Sequence, residues 1–301
     1  MKIFITGGAG FVGSALVKNL SENQAVSEIT VYDNFSGQSN ALLFGQHLRN
    51  VKFVKGDILD SRTLKKSMAG HDTVVHLAEV HNLTQPHHLE QVNHWGTAEV
   101  CYAIEGLGIK NLVHLSTTEV YPRTTGDETI ENSYEASPSD AYGSSKLRGE
   151  DHIKRFINKA GYNVHIIRAA SIYGYSPSLK FESYLNKIVL DAHYFNRIEL
   201  FGTGFQYGSF VHIDNVVSAI VGLIQGKASS QIHNLADHSV SVIDLIDVLK
   251  EVYPDMEFIF ASHHLTLPHM RVKSSTQVSP FAVNTNSLVE QIREIKGNFS
   301  I

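Results

Sequence analysis

The feature that most constrains the fold is a glycine cluster between a strand-like and a helix-like segment near the start of the chain. The apolar run KIFIT, residues 2–6, leads into GGAGFVG, and a helix-like SALVKNL follows. Gly7, Gly10 and Gly13 carry no Cβ, so the backbone can turn tightly, approach a ligand closely and pack the next helix on a sheet. The amide groups at the start of that helix would then point at an anion. The pattern predicts a strand–turn–helix unit that binds phosphate groups.

Short apolar runs alternate with helix-like segments through the first part of the chain. The strand candidates are 2–6, 27–33, 51–56, 72–78, 110–116 and 162–169, and the helix candidates between them are 11–22, 60–69, 87–106 and 140–160. Short strands rich in Val and Ile suit a sheet that is covered on both faces. Alternation of this kind predicts an α/β fold: a Rossmann-like, doubly wound parallel sheet with right-handed crossovers.

An acidic residue stands about twenty positions after the glycine cluster, the usual interval in dinucleotide sites. Asp33 ends the second strand candidate. A carboxylate there accepts hydrogen bonds from the adenosine ribose and repels a 2′-phosphate, which favours NAD over NADP. The alternative interpretation is that the glycine cluster is an ordinary turn and Asp33 a solvated acid. Asp57, after the third strand candidate, is placed to bond the adenine amino group, unless it only caps a helix. The context predicts NAD as the cofactor.

The last two-fifths of the chain are less regular. They contain the strand-like SFVHI and QIHNLA and a helical SVIDLIDVLKEVY. We expect residues 1–170 to form the NAD-binding domain, with 209–236 partly returning to it. Residues 171–301 then form mainly a smaller, C-terminal substrate-binding cap.

Composition narrows the expected partners. The chain has 301 residues, of which 43% are hydrophobic, enough for a large core. Its formal net charge of −5 comes with no basic stripe, so nucleic acid is not an expected partner. The single cysteine, Cys101, excludes an internal disulfide, which suits a reducing compartment, so we expect a cytoplasmic protein. No apolar run reaches the roughly 18 residues of a membrane span, so we expect no membrane partner. The histidines show no metal-ligand spacing, and no metal is expected.

Two motifs predict a catalytic site. Tyr142 and Lys146 form YxxxK, and residues four apart share one face of a helix. In LSTTEVY, residues 115–121, an apolar strand ends in hydroxyls and a carboxylate, at the strand end where ligands bind in open parallel sheets. We therefore expect Thr117, Tyr142 and Lys146 to meet beside the cofactor. The alternative interpretations are that YxxxK is only a solvated helix face and that the polar residues 116–119 only cap the next segment.

The chemistry expected of these three residues is the oxidation of an alcohol. The alcohol would lose a hydride to NAD⁺ and a proton to a base. Tyrosine titrates near pH 10, too high for a base at neutral pH. The Lys146 ammonium and the positive nicotinamide would both favour the phenolate and lower the pKa of Tyr142. Thr117 would hold the substrate oxygen and share its proton.

The sequence resembles the extended short-chain dehydrogenase/reductase family, specifically its NAD-dependent epimerase/dehydratase branch, which acts on nucleotide sugars. The segments that carry the resemblance are TGGAGFVG (6–13), VYDNFSG (31–37), GDILD (56–60), VVHLAEV (74–80), NHWGT (93–97), HLSTTEVYP (114–122), YGSSKLRGE (142–150), RAASIYG (168–174) and FVHIDNVV (210–217). The resemblance implies catalytic roles for Thr117, Tyr142 and Lys146. Within and beside these motifs we expect further cofactor contacts from Phe11, Val12, Asn34, Ser36, Gly37, Ile58, Leu77 and Ala78.

The resemblance also implies a transient oxidation of the sugar at C4, after which the hydride returns and NAD is recycled. The 4,6-dehydratases resemble TDE where this chain has TTE at 117–119. Thr118 cannot supply the acid for loss of water, which counts against 4,6-dehydration. Glu119 is similar to the glutamate of nucleotide-sugar uronate decarboxylases; its alternative is an inherited structural carboxylate.

Several positions depart from the family pattern. Gly208 stands where an arginine usually contacts the substrate diphosphate, and Ser171 replaces a frequent asparagine contact. Glu79 replaces the second alanine of HLAA on the nicotinamide side, and Arg271 is a candidate replacement phosphate contact. We expect Glu79, Thr118, Ser171 and Arg271 to bind the substrate.

The leading hypothesis is an NAD-dependent epimerase that transiently oxidises C4 of a nucleotide sugar. The alternatives are a uronate decarboxylase that uses Glu119, a net dehydrogenase/reductase on a non-nucleotide alcohol, and an NAD-binding sensor without turnover. The helix candidates 87–106 and 140–160 have more apolar positions than one sheet face needs. Family members commonly dimerise through these helices, so we expect a homodimer.

Overall fold

The chain folds around a seven-stranded parallel sheet. The computed structural model describes residues 1–37, 48, 50–124, 128–181, 183–261 and 269–299. The strands of this central sheet are β1 (Lys2–Thr6), β2 (Glu28–Asp33), β3 (Val51–Lys55), β4 (Thr73–His76), β5 (Asn111–Thr117), β6 (Asn163–Ala169) and β10 (Gln231–Leu235). They lie in the order β10-β6-β5-β4-β1-β2-β3, and all neighbouring pairs are parallel. The prediction of a Rossmann-like, doubly wound sheet is confirmed.

Helices cover both faces of the sheet. They are α1 (Phe11–Ser21), α2 (Ser61–Met68), α3 (Pro86–Leu89), α4 (Thr97–Leu107), α5 (Ala141–Ile157) and α7 (Ile213–Ile224). Alternate side chains of β1 show why both faces are apolar: Ile3 and Ile5 pack in the core that contains α1 and α7, whereas Phe4 packs in the core that contains α2, α4 and α5. Seven π-helical residues, Glu90–Gly96, join α3 to α4, so the single helix predicted at 87–106 is two helices with a wider turn between them.

A smaller region follows the central sheet. It contains a three-stranded sheet of β7 (Ser171–Tyr173), β9 (Tyr207–His212) and β11 (His238–Ser241), and a parallel pair of β8 (Arg197–Phe201) and β12 (Glu257–Ala261). Its helices are α6 (Tyr184–Phe195), α8 (Val242–Val252) and α9 (Leu288–Gly297), which pack in a core of their own. Within 209–236, α7 packs on the central sheet and β10 is one of its strands, whereas β9 lies in the small sheet. The division into two functional domains stays a prediction.

Three buried serines, the serine cluster, connect α1 to the segment after β7. The hydroxyl oxygens of Ser14 and Ser176 are 2.6 Å apart, and Ser176 donates to the Phe11 carbonyl at 2.7 Å. The backbone amide of Ser178 donates to the Ser14 hydroxyl at 3.2 Å. The first helix of the central sheet is therefore hydrogen-bonded directly to the start of the smaller region.

None of the helices in the described ranges combines the length and the apolar character that a bilayer crossing requires.

Two histidines are buried side by side at the β6–β10 edge of the central sheet. His165 Nδ1 lies 3.0 Å from His233 Nε2, and His165 Nε2 lies 2.9 Å from the Asn163 amide oxygen. Burial lowers the pKa of His165 to about 4. Burial and the neighbouring His165 lower the pKa of His233 to about 3. Both side chains are therefore neutral in the folded chain at neutral pH.

This pair predicts a loss of stability in acid. An unfolded histidine binds a proton near pH 6.5, whereas the folded pair resists protonation, so the unfolded state binds more protons as the pH falls from about 6.5 towards 4. For each of the two histidines, the free energy of unfolding should fall by about 2 kcal/mol as the pH is lowered from about 7 to about 5. Urea unfolding of the wild type and of a His165→Leu/His233→Leu double variant measures this difference. Equal acid sensitivity of the two proteins would contradict it.

Candidate active site

A cavity of about 850 Å³ opens at the carboxyl ends of the central strands. It lies where the strand order reverses between β1 and β4, the place at which open parallel sheets bind ligands. The predicted cofactor residues that line it are Gly7, Gly10, Phe11, Val12, Gly13, Asp33, Asn34, Ser36, Gly37, Asp57, Ile58, Leu77, Ala78 and Tyr142. The fold thus brings motifs that are far apart in the sequence to one cavity wall.

The glycine turn fits a closely approaching ligand. Gly7 has a φ of +68°, and a Cβ there would lie 2.6 Å from the Ala78 nitrogen. A Cβ on Gly13 would lie 2.5 Å from the Gly7 carbonyl oxygen, so any side chain would push α1 off the turn. No side chain caps the start of α1 at Gly10. The first amides of this helix are therefore available to a pyrophosphate.

Two carboxylates stand beside the turn, at the ends of β2 and β3. Asp33 accepts hydrogen bonds from the backbone amides of Ala9 at 3.0 Å and Phe35 at 2.8 Å, which fixes its carboxylate next to the glycines. Asp57 accepts from the Leu59 amide at 2.9 Å. Both carboxylates line the cavity, in the arrangement expected for the adenosine end of NAD. The turn, the open helix end and these acids therefore fit this cofactor.

Helix α5 presents a buried polar stripe, Tyr142, Lys146 and Glu150, to the ends of β5 and β6. Its start is fixed by Asp140, whose carboxylate accepts from the Gly143 amide at 2.8 Å. Glu150 is fully buried and accepts two hydrogen bonds from Arg168, the shorter at 2.6 Å. It also accepts from the Ser116 hydroxyl at 2.7 Å. A buried charge is tolerable only when it is paired and hydrogen-bonded, and this one is both.

The carboxylate of Glu79 joins the two residues of the YxxxK motif. Lys146 Nζ lies 2.9 Å from Glu79 Oε2 and donates to the Leu115 carbonyl at 2.8 Å. The Tyr142 hydroxyl donates to the same Glu79 oxygen at 3.0 Å. Lys146 does not itself line the cavity; it lies behind Tyr142 and Glu79, which do. Glu79, identified from sequence as a departure from the family pattern and as a candidate substrate contact, therefore contacts both members of the motif.

The electrostatics of Tyr142 differ from the expectation. Burial, together with the carboxylates of Glu79 and Glu119, raises the pKa of Tyr142 well above its ordinary value. Burial opposes the ionisation of Glu79, but the charges of Lys146 and Lys180 and the hydrogen bonds from Lys146 and Tyr142 together lower the pKa of Glu79. Since Glu79 neutralises Lys146, the ammonium does not produce the predicted lowering of the pKa of Tyr142.

The polar end of β5 also lines the cavity. Thr117 accepts a hydrogen bond from the Glu119 amide at 3.1 Å, which leaves its own hydroxyl proton for another acceptor. Thr118 and Glu119 follow in a short 3₁₀ helix, Thr118–Val120. Burial, with added repulsion from Asp140 and Glu79, raises the pKa of Glu119 to about 7. Glu119 can therefore both give and take a proton near neutral pH.

Asn93 holds the loop that carries Glu79. Its side chain accepts from the Val80 amide and donates to the Val80 carbonyl, both at 2.9 Å. It also donates to the Ser145 hydroxyl at 3.0 Å. Asn93 lies in the π-helical residues before α4, and π-helical insertions are frequent at functional sites. These bonds connect the loop after β4 to helix α5. Asn93 belongs to the NHWGT motif, but no role in positioning this loop was predicted for it.

Other cavity residues were not predicted. The His81 ring lies 4.3 Å from the Tyr142 ring, edge to face. Lys180 supplies a cationic side chain to the cavity wall and contributes to the lowered pKa of Glu79. The remaining unpredicted wall includes Val80, Asn82, Ile172, Ser183 and Tyr184. Lys180 lies in SPSLKF, between β7 and α6, where neither spacing nor periodicity marks a binding residue.

The predicted substrate residues are not all at the cavity. Glu79, Thr118 and Ser171 line it, whereas Arg271 does not. The Arg271 guanidinium lies 3.5 Å from the centre of the Tyr207 ring. The substrate role of Arg271 stays a prediction. Within the described ranges, no group of three or more His, Cys, Asp or Glu side chains could hold a metal ion.

Comparisons with known proteins identify relatives of this chain. The profile described as "NAD dependent epimerase/dehydratase family" matches residues 3–236. The chain is 26% identical to a dTDP-D-glucose 4,6-dehydratase of Bos taurus over 270 residues, 85% of this chain and 75% of the relative. It is 27% identical to a dTDP-glucose 4,6-dehydratase of Streptomyces niveus over 249 residues, 78% of this chain and 72% of the relative.

Solved structures share the fold. A UDP-N-acetylglucosamine 4-epimerase from Methanobrevibacter ruminantium M1 superposes with a TM-score of 0.87 at 21% identity, over 98% of this chain and 97% of the other. A UDP-glucuronic acid 4-epimerase from Bacillus cereus, solved with UDP-glucuronic acid and NAD, gives 0.85 at 22% identity, over 99% and 98%. Because the profile match covers most of the sequence, this chain belongs to the NAD-dependent epimerase/dehydratase family of extended short-chain dehydrogenases/reductases, which confirms the predictions of an enzyme and of NAD.

Proposed function

We propose that the protein is an NAD-dependent 4-epimerase of a nucleotide sugar. The observation that carries this proposal is the wall of the cavity at Thr117, Thr118 and Tyr142: two hydroxyls and a phenol, with no carboxylic acid at Thr118 to expel water from the sugar. The relatives described above support a nucleotide-sugar substrate, since they are enzymes of dTDP- and UDP-linked sugars.

Three residues of the chain would have distinct roles in the reaction at C4. NAD, when bound, would supply the hydride acceptor for the oxidation at C4 and the hydride donor for the return step. Thr117 has a hydroxyl proton to donate to the C4 oxygen, and Tyr142 stands on the same wall to exchange that oxygen's proton. Lys146, held by Leu115 and Glu79, fixes the loop after β4 against α5. Epimerisation needs no acid or base that acts on a second carbon of the sugar.

The cofactor would lie along the opposite part of the wall. The open start of α1 suits the pyrophosphate, Asp33 suits the adenosine ribose, and Asp57 suits the adenine. Leu77 and Ala78, directly after β4, line the cavity and would contact the nicotinamide end.

Glu119 favours a second candidate, a reaction with an additional proton transfer. Burial raises its pKa to about 7, so at neutral pH it exists in both protonation states beside Thr117. A decarboxylase of a nucleotide-sugar uronic acid would use such a group. The curated relatives named above are 4,6-dehydratases.

We propose a cytoplasmic location, because the one cysteine, Cys101, is buried and its pKa is raised by burial to about 12. An inert, unpaired thiol suits a reducing compartment.

Product analysis tests the reaction. NMR of UDP-, dTDP- and GDP-linked hexoses and uronic acids incubated with the NAD-loaded enzyme should reveal a C4-inverted sugar. Tyr142→Phe should lower the rate by at least about 100-fold, because it removes the proton-exchanging group. Tyr162→Phe is the matched control, since Tyr162 stacks on Phe156 outside the cavity wall and should keep the wild-type rate.

Other products would overturn the proposal in defined ways. Release of CO₂ from a uronic acid, abolished by Glu119→Gln, would establish the decarboxylase. A 4-keto-6-deoxy product would establish the dehydratase. Full turnover by Tyr142→Phe would remove Tyr142 from the reaction.

The glycine turn gives a binding prediction. Gly13→Ala should weaken NAD binding by at least about tenfold, because the new Cβ would contact the Gly7 carbonyl and displace the start of α1 from the phosphates. Calorimetric titration of NAD measures the affinity. Gly297→Ala is the control, because a Cβ there has nothing within 4 Å. Unchanged affinity in Gly13→Ala would place the pyrophosphate elsewhere.

We also propose a homodimer formed by α4, α5 and the π-helical residues before α4. Trp95 and Tyr102 are large aromatic side chains on this surface, and they are 54% and 51% exposed. Light scattering should give the mass of a dimer, and Tyr102→Lys should shift it towards the monomer. Phe195→Lys, on α6, changes another exposed aromatic residue and should leave the dimer intact. A monomeric wild type would contradict this proposal.

A further inference from the structure

One oxygen of Glu79 connects a buried phenol, a buried ammonium and the cavity. Oε2 accepts from Tyr142 at 3.0 Å and lies 2.9 Å from Lys146 Nζ. Tyr142 and Lys146 are 4% and 2% exposed, whereas the Glu79 side chain is 30% exposed and forms part of the cavity wall. Glu79 is thus a carboxylate of the cavity wall that contacts both members of the buried pair.

The fold builds this contact. Asn93 forms hydrogen bonds with the backbone amide and carbonyl of Val80, the residue after Glu79, and it also donates to Ser145 on α5. Through Asn93, the helix that carries Tyr142 and Lys146 is therefore hydrogen-bonded to the loop that carries Glu79. An exposed ion pair between long side chains contributes little to stability. The Glu79–Lys146 pair differs, because hydrogen bonds position the elements that carry both residues and Lys146 is removed from water.

The charges around the phenol favour its protonated form. Several titratable groups interact electrostatically with Glu79 or Tyr142, namely Lys146, Lys180, His76, His81, Glu119 and Asp140. Glu79 offsets the ammonium of Lys146, and three carboxylates then oppose a phenolate. At neutral pH Tyr142 is a phenol that donates to an ionised Glu79. It cannot take a proton from an alcohol unless its own proton leaves.

We propose that Glu79 is the positioning residue that receives the Tyr142 proton, so that Tyr142 relays a proton instead of serving as a phenolate. This inference rests on the proposed oxidation at C4. As the C4–H bond breaks, its hydrogen leaves as hydride to the NAD⁺ of the holoenzyme. The C4 hydroxyl proton moves to the Tyr142 oxygen, and the phenol proton moves to Glu79 Oε2. The products are a ketone, reduced cofactor, neutral Tyr142 and a protonated Glu79, and the reverse step restores the start.

The first test is a titration of Tyr142 in the NAD-loaded protein, with no substrate needed. Ultraviolet difference absorbance of tyrosinate is compared between the wild type and Tyr142→Phe, and again between Glu79→Gln and Glu79→Gln/Tyr142→Phe. In the wild type Tyr142 should stay protonated to above about pH 10. In Glu79→Gln it should ionise at least about one pH unit lower, because the Lys146 ammonium is no longer neutralised. Identical titration of Tyr142 with and without Glu79 overturns the proposal.

The second test is the pH dependence of C4 oxidation, followed as cofactor reduction in one turnover. In the wild type the rate should be flat from neutral to alkaline pH and fall in acid, as Glu79 becomes protonated. In Glu79→Gln the rate should be at least about tenfold lower at pH 7 and should rise with pH through the ionisation of Tyr142. Glu79→Ala should behave in the same way, which guards against a defect specific to glutamine.

Glu28→Gln is the matched control. Glu28 pairs with Lys2 at 3.2 Å at the opposite end of the sheet, with a side chain 38% exposed. It should follow the wild type in both tests. A flat profile in Glu79→Gln, with wild-type titration of Tyr142, rejects the relay while leaving the proposed epimerase intact. If no sugar is turned over, the titration alone decides about Glu79.

Discussion

A buried row of polar side chains on one helix is the constraint on which the site depends. Tyr142, Lys146 and Glu150 follow one another at intervals of four residues, so they face the same strand ends. Removing such groups from water is costly, and each one is retained by a specific partner: Glu79, the Leu115 carbonyl and Arg168. Rotation or sliding of α5 would break all of these bonds at once. The stripe therefore fixes the position of the reacting groups relative to β5 and β6.

The framework was predictable because its signals are local. The strand expected at 162–169 is Asn163–Ala169, and the one at 110–116 is Asn111–Thr117. The glycine turn follows from steric rules that depend on neighbouring residues. Once the strands are parallel, their carboxyl ends meet, and the meeting of the glycine turn with the polar end of β5 follows from topology alone.

The contacts that give this site its character were not predictable, because they depend on loops between distant elements. Glu79 could be identified as unusual for the family, but its bond to Tyr142 spans 63 residues of chain. That bond requires the hydrogen bonds of Asn93, which in turn require a π-helical turn where the apolar pattern predicts a continuous helix. Lys180 lies in a connection without periodicity, and its position depends on how the smaller region packs. The substrate role of Arg271 is still a prediction; the structure places its guanidinium over the ring of Tyr207, a contact that sequence spacing does not indicate.

The serine cluster has a mechanical consequence. Ser14 belongs to α1, whose open first turn is proposed to receive the pyrophosphate, and Ser176 and Ser178 follow β7, which contributes Ser171 to the cavity. Because hydrogen bonds join these two segments directly, a movement of α1 would be coupled to the segment after β7 without involving the central sheet. The shape of the cavity near Ser171 would then depend on the position of the helix that is proposed to hold the phosphates.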